Sequence, residues 1–345
     1  MIQELERLGV LSSSTNPNHV TGISLHFKGI RTRTQYLDQN VAAVTITDGT
    51  VTTNTNLTEL PLGSFVTGLA GTGLEKNPDS KTSSASTGRS SIVTIKDNGS
   101  WYVSLGYTIA VDSLRSSGKS AAIPASSTSV TPIGASSPQG AVSALFDSIA
   151  AFDLKDLIAD LAPGEMAALQ SYAPNFLGKS SADLARAKAL VNAKFTGFQM
   201  STQSLGSMTL VKVNRLNLTL RVQGITVVIS GHCTTISYQG HTKHECTSSN
   251  PQGQALLKLL PANARSFVER ISHARPNEGF MTVEDGGKWF VSPTATILQS
   301  INSIASILQP SDLAMFANYA EHPAATKKAF MKLEQSLFGG VQGLI

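Results

Sequence analysis

Ser91 to Ile109 reads SIVTIKDNGSWYVSLGYTI, and Gly279 to Ile297 reads GFMTVEDGGKWFVSPTATI. These stretches hold both tryptophans of the 345-residue chain, and laying Trp101 on Trp289 aligns them without a gap. Thr94, Asp97, Gly99, Val103, Ser104, Thr108 and Ile109 then fall on Thr282, Asp285, Gly287, Val291, Ser292, Thr296 and Ile297. Tyr102 with Phe290 and Ile95 with Val283 are conservative pairs between them. Each stretch reads as a β-hairpin, because β-rich flanks alternate around a turn of Asp, Asn and Gly, residues that tolerate the positive φ such turns demand. Trp101 and Trp289 are expected to pack inward from the returning strand. Self-similarity of this kind predicts two copies of one structural unit.

The similarity is expected to extend backward. AVTITDGTVTT (43–53) alternates around Asp48-Gly49 and reads as a strand pair 53 residues before Trp101; the pair around Gln239-Gly240 lies 50 residues before Trp289. Ahead of these, SLHFKGIRTRTQ (24–35) is matched with TLVKVNRLNLTLRV (209–222), both alternating in the strand manner. LEKNPDSKTSSASTGRSS (74–91) is expected to be a disordered loop inside the first copy, and DSLRSSGKSAAIPASSTSVTPIGASS (112–137), poor in aromatics, to be the linker between copies.

After the linker, Ser137 before Pro138 predicts an N-cap followed by proline at the first helical position. Ala141, Leu145, Ile149 and Phe152 share one helical stripe, and Leu154, Leu157, Ile158 and Leu161 continue on a second helix. The second sheet is expected to open near Phe195. The first copy has no such helical lead, since its first strand is expected near residue 20 with one short helix ahead. The chain is therefore expected to begin inside its first module, with upstream sequence missing or never present. The expected division is a first α+β module over 1–111, the linker over 112–137, a second α+β module over 138–308 and a helical tail over 309–345. Leu313, Phe316 and Tyr319 form an apolar stripe on that tail, followed after Pro323 by Phe330, Leu333 and Leu337.

The lead of the form Ser-Pro-x-x-Ala-Val-x-x-x-Phe, then Ala-x-x-Asp-Leu-x-x-Leu, and the closing Asp-x-Gly-x-Trp-Tyr/Phe-Val hairpin resemble the nuclear transport factor two-like (SnoaL-like, cystatin-like) α+β cone. The tandem versions in exported or membrane-anchored actinobacterial proteins are similar. The resemblance covers about 136–308 most fully and the first copy from its strands onward. It implies two tandem cone-like modules, each a curved, mostly antiparallel sheet packed on helices, with a pocket between sheet and helices. Members of that family use the pocket for isomerisation, dehydration, small-molecule binding or protein contact, so fold does not decide function.

No catalytic set matches residue by residue. Asp147 and Asp153 lie on the helical lead, and Asp153 reads as helix-boundary chemistry. A serine-nucleophile elbow and glycine-rich dinucleotide or phosphate fingerprints are missing. His19, His26, His273 and His322 are scattered. The net charge of +4, from 27 basic and 23 acidic residues, has Lys28-Gly-Ile-Arg31-Thr-Arg33 as its densest run, which is too thin for nucleic-acid binding. No run approaches the roughly 20 apolar residues of a membrane span. MIQELERLGV is no signal peptide. Membrane attachment is therefore expected only through a missing N-terminal segment. These features point to a non-enzymatic extracytoplasmic binding or interaction module without cofactor, whose partner is a small apolar ligand or a protein. The alternatives are a small-molecule isomerase or lyase using the second module's pocket, and a structural spacer of an envelope protein.

GHCTTISYQGHTKHEC (231–246) holds both cysteines. With Gln239-Gly240 as a two-residue loop, opposite residue numbers sum to a constant, and Cys233 faces Cys246. Such a non-hydrogen-bonded pair has a Cα separation of about 4.5 Å, at the short end of what a disulfide accepts. The metal alternative takes Cys233, His244 and Cys246 from one face and is a ligand short of a closed zinc site. The disulfide is the expectation, and with it an oxidising compartment.

Overall fold

Alternating, β-branched segments on both sides of the linker build two antiparallel sheets. The computed structural model describes residues 1–70, 81–86, 91–124, 129–222, 224–230, 233–246, 260–274 and 279–322. The first sheet contains β1 (Ile23–Asp38), β2 (Val41–Thr55), β3 (Lys81–Ser86), β4 (Ser91–Asp97) and β5 (Ser100–Val103), in the order β1-β2-β4-β5 with β3 also on β2. The second contains β6 (Val191–Leu205), β7 (Met208–Val222), β8 (Ile225–Ser230), β9 (Cys233–Tyr238), β10 (His241–Cys246), β11 (Phe280–Asp285) and β12 (Lys288–Val291). Its order is β10-β9-β8-β7-β11-β12, with β6 also on β7. The fold is mixed α+β, with helices and curled antiparallel sheets of half-barrel form.

The ladders of the two sheets run in step. β2 takes β1 on one edge and shares the other between β4, at 41–45, and β3, at 50–55. β7 takes β6 on one edge and shares the other between β11, at 208–211, and β8, at 217–222. Both long pairs are bulged at the same place. Lys28 pairs with Thr50 and Arg31 with Asp48, while Thr196 pairs with Asn217 and Gln199 with Arg215. Gly29 and Gly197, with φ of 64° and 66°, supply the left-handed residue within each bulge. Such bulges bend a strand and sharpen its twist, which is how long pairs curl.

This register corrects three expectations. Asp48-Gly49 does not turn the chain but lies inside β2, where Gly49 (φ 131°) sits under Ile30 and the missing Cβ makes room for that bulge. Hence 24–35, in β1, corresponds to β6, and 209–222, in β7, corresponds to β2. The β9–β10 hairpin therefore has no counterpart at 43–53, which is one strand, and it extends the second sheet. The polar stretch 74–91 contributes β3, because backbone pairing along β2 needs no apolar side chains.

The shared residues of the tryptophan hairpins have physical roles. Asn98-Gly99 and Gly286-Gly287 have positive φ at both central positions, the turn that matches strand twist. After each hairpin the chain enters a helix, α3 (Leu105–Ser116) or, later, one over Pro293–Ile307, capped by Ser104 or Ser292. Thr108 Oγ1 accepts from Val93 N at 2.9 Å and donates to Ser104 O at 2.7 Å. Thr296 Oγ1 does the same between Met281 N and Ser292 O, at 2.9 and 2.7 Å. Thr94 and Thr282 donate to the carbonyls of Ala42 and Thr209 on the neighbouring strand.

The remaining helices join these sheets. α1 (Ile2–Arg7) and α2 (Ser64–Ala70) precede and follow the β1–β2 pair, whereas α4 (Pro138–Ala150), α5 (Leu154–Ala159), α6 (Pro163–Tyr172) and α7 (Pro174–Leu190) lead into β6. α8 (Ala262–Ala274) precedes β11, α9 (Pro293–Ile307) follows β12, and α10 (Pro310–Glu321) ends the described chain. Ser137 caps α4 through Gly140 N at 3.1 Å, as its sequence predicts. Asp153 Oδ1 caps α5 through Lys155 N and Asp156 N, the helix-boundary role. The described residues of 112–137 make specific contacts. The first of them finish α3, Ala121 O accepts from Tyr172 Oη at 2.7 Å, Val130 is buried, and Ala135 exchanges two 2.8 Å backbone bonds with Trp289. The residues of the tail beyond 322, with Phe330, Leu333 and Leu337, lie outside the described residues.

We expect Gly49→Ala to cost about 2–3 kcal/mol, because the new methyl meets the Ile30 backbone in a conformation L residues avoid. Gly29→Ala, with nothing within 4 Å of its new Cβ, should cost only about 1 kcal/mol. Urea unfolding midpoints of the two variants check this ordering.

Candidate functional site

Each sheet has two faces, and the register says which residues share one. Val41, Ala43 and Val93 of the first sheet lie under Tyr107 and Val111 of α3 and under Ala168 and Tyr172 of α6. The matching face of the second sheet, with Met281, is the one α9 latches through Thr296. The opposite face of the second sheet is covered by α4, whose Ala141, Val142 and Leu145 pack with Val211 and Val291. At its centre Phe146 touches Phe195, Phe198 and Phe280, at ring separations of 4.9, 5.6 and 5.5 Å. Trp289 is half-buried there.

The same positions of the first sheet are open. With the bulges in register, Phe195, Phe198, Phe280 and Val291 correspond to Phe27, Ile30, Ile92 and Val103. Val291 is 2% exposed and Val103 61%. Phe27 is 63% exposed, and Leu25, Tyr36 and Ile92 are exposed too. Trp101, 42% exposed, does not pack inward; it tilts against Tyr36 with ring centroids 6.2 Å apart. The physical reason is that no described helix covers this face, whereas α4 covers its counterpart. Large apolar patches are uncommon on protein surfaces that face water.

The titratable groups near the helices are engaged in holding structure. Asp160 is buried and accepts from Ser148 Oγ at 2.9 Å; burial raises its pKa above the usual carboxyl range, an effect the Ser148 bond partly opposes. Glu165 accepts from Ser292 Oγ and from Thr294 N, at 3.1 Å for the latter, and so holds the start of α9. A cleft of about 420 Å³ between α3 and α6 is lined by Gly106, Ile109, Ala110, Leu114, Met166 and Tyr172, with Glu165 at its edge. The Tyr172 hydroxyl is pushed up to about 12, by burial first and by Tyr107 second.

The cysteine hairpin has the expected register. Cys233 pairs with Cys246 and Tyr238 with His241, around Gln239-Gly240 with φ of 49° and 84°. His244 Nδ1 lies 2.8 Å from Thr235 Oγ1. His232 and the Cys246 side chain lie outside what is described, and among the described residues no three metal-ligating groups cluster. No helix of the described residues is long and apolar enough to cross a membrane.

The chain matches no protein-family model, and no curated protein or solved structure matches it at a significant level.

Because burial raises the Asp160 pKa, the unfolded chain ionises there first as pH climbs. The stability present below the ordinary carboxyl value is lost as pH rises through the folded value. Asp160→Asn keeps an acceptor for Ser148 and abolishes this loss. Its urea midpoint should gain on the native chain between about pH 3.5 and about pH 7, the range containing ordinary carboxyl titration.

Proposed function

We propose that the chain is two tandem copies of one α+β module and acts as a non-enzymatic interaction module in an extracytoplasmic setting. The matched ladders, the Gly29 and Gly197 bulges and the paired threonine latches support the tandem reading. The order of helical lead, curled sheet and closing tryptophan hairpin is compatible with the nuclear transport factor two-like cone that the motifs resemble. On this reading the first copy occupies about 1–111 and the second about 138–308, with the stretch 112–137 bracing them.

The observation that carries the interaction reading is the apolar face around Phe27, Tyr36, Trp101 and Val103, whereas in the other sheet Phe195, Trp289 and Val291 lie under α4. A spacer has no need to keep such a face in water, where each large apolar side chain left exposed forgoes about 1.5–3 kcal/mol. For an isomerase or lyase, the cleft beside Glu165 is the place to look, yet that carboxylate is already occupied at the start of α9.

The test is fluorescence titration with the apolar dye bis-ANS. Phe27→Asp should remove most of the bound-dye signal while Ile109→Asp, at an exposed position lining the α3–α6 cleft, leaves it. The reverse pattern would overturn the interaction reading in favour of the cleft.

The compartment rests on the cysteines. Their pairing across β9 and β10 supports a Cys233–Cys246 disulfide, and such bonds persist in oxidising compartments. Intact mass should rise by about two daltons on reduction, one hydrogen per sulfur of the bridge. An unchanged mass would remove both the bridge and the support for an extracytoplasmic location.

A further inference from the structure

We infer that the open face of the first sheet is a seat for an amphipathic helix supplied by another polypeptide, with an aromatic residue at the centre of its apolar stripe. This rests on the interaction reading and on the two copies being equivalent. The second sheet shows what such a face accepts. α4 lies over it for 13 residues, with small Ala141 against the sheet, Val142 and Leu145 beside it, and Phe146 dropped between Phe195, Phe198 and Phe280.

The first sheet keeps the apolar character of that seat. Phe27 stands for Phe195, Ile30 for Phe198 and Ile92 for Phe280, and Gly29 holds the bulge that sets Phe27 and Ile30 on one side. Trp101 and Tyr36 form the rim. Leu25, Phe27, Tyr36, Ile92, Trp101 and Val103 are all at least 40% exposed. Together they present about 700 Å² of mostly apolar surface, close to the roughly 800 Å² one partner contributes to a stable standard interface. A helix presenting residues at i, i+3 or i+4 and i+7 fills such a groove, and its aromatic anchor carries most of the binding energy.

The chain's own α4 supplies the probe. An acetylated, amidated peptide of residues 136–151, SSPQGAVSALFDSIAA, is titrated calorimetrically into the full chain. We expect saturable binding at one site, weakened at least tenfold by Phe27→Asp and by Tyr36→Asp in the chain, and equally by Phe146→Ala in the peptide. Both chain positions are exposed, so these variants keep the fold. No binding up to about 1 mM, a free energy of only about 4 kcal/mol, overturns the proposal. So does binding that survives Phe27→Asp. A chain that runs as a dimer by light scattering and becomes a monomer with Phe27→Asp overturns it too, since a second copy is then the occupant. If the peptide fails while the dye still reports the face, the interaction reading stands and only the helical partner falls.

Discussion

The hydrogen bonds through Thr108 and Thr296 decide how the rest is arranged. Each hydroxyl accepts from a strand N–H and donates to the carbonyl of the capping serine one turn earlier. That bond does two things at once. It satisfies an amide that the sheet leaves unpaired at the start of β4 or β11, and it clamps the first turn of the helix onto one face of the sheet. Once α3 and α9 are committed to that face, the other is left for a different element. In the second sheet that element is α4. The asymmetry between the sheets, covered in one and open in the other, follows from which helices the described chain places within reach.

A second consequence concerns how the two sheets are held together. Helix α6 belongs in sequence to the run leading into β6, yet Ala168 and Tyr172 complete the core of the first sheet. Tyr107 and Tyr172 meet edge to face at 6.1 Å, and Tyr107 Oη lies 2.9 Å from Ser171 Oγ. At its other end the same helix offers Glu165 to Ser292 and Thr294, at the start of α9. One ten-residue helix thus touches the core of one sheet and the capping site of the other. Removing water from Tyr172 while keeping its hydroxyl bonded to Ala121 explains why the Ser/Ala/Pro-rich stretch is ordered where it crosses this region.

Much of this was legible in the residues. The gapless alignment around Trp101 and Trp289 located both closing hairpins, and Asp, Asn and Gly at the turns placed their loops. Ser137-Pro138 announced a helix start, and the number symmetry around Gln239-Gly240 placed Cys233 opposite Cys246. These succeed because turn geometry, capping and two-residue periodicity are local: each is satisfied within a few residues of chain. Asp48-Gly49 failed for the same reason in reverse. Asp-Gly is a turn signal locally, but a glycine at positive φ serves a bulge equally well, and only the partner strand with Ile30 decides between them.

By itself the sequence determined that the chain builds paired strands closed by two similar hairpins, capped helices after and between them, and facing cysteines. The tertiary structure alone decided which side of each sheet a helix covers. Phe27 and Phe195 look alike in sequence, and nothing in their neighbours distinguishes them. Phe195 is half-buried against Phe146, and Phe27 stands in solvent. Burial is a property of what arrives from distant parts of the chain, and hydrophobic attraction is non-directional, so apolar pattern can mark a face without saying what will cover it.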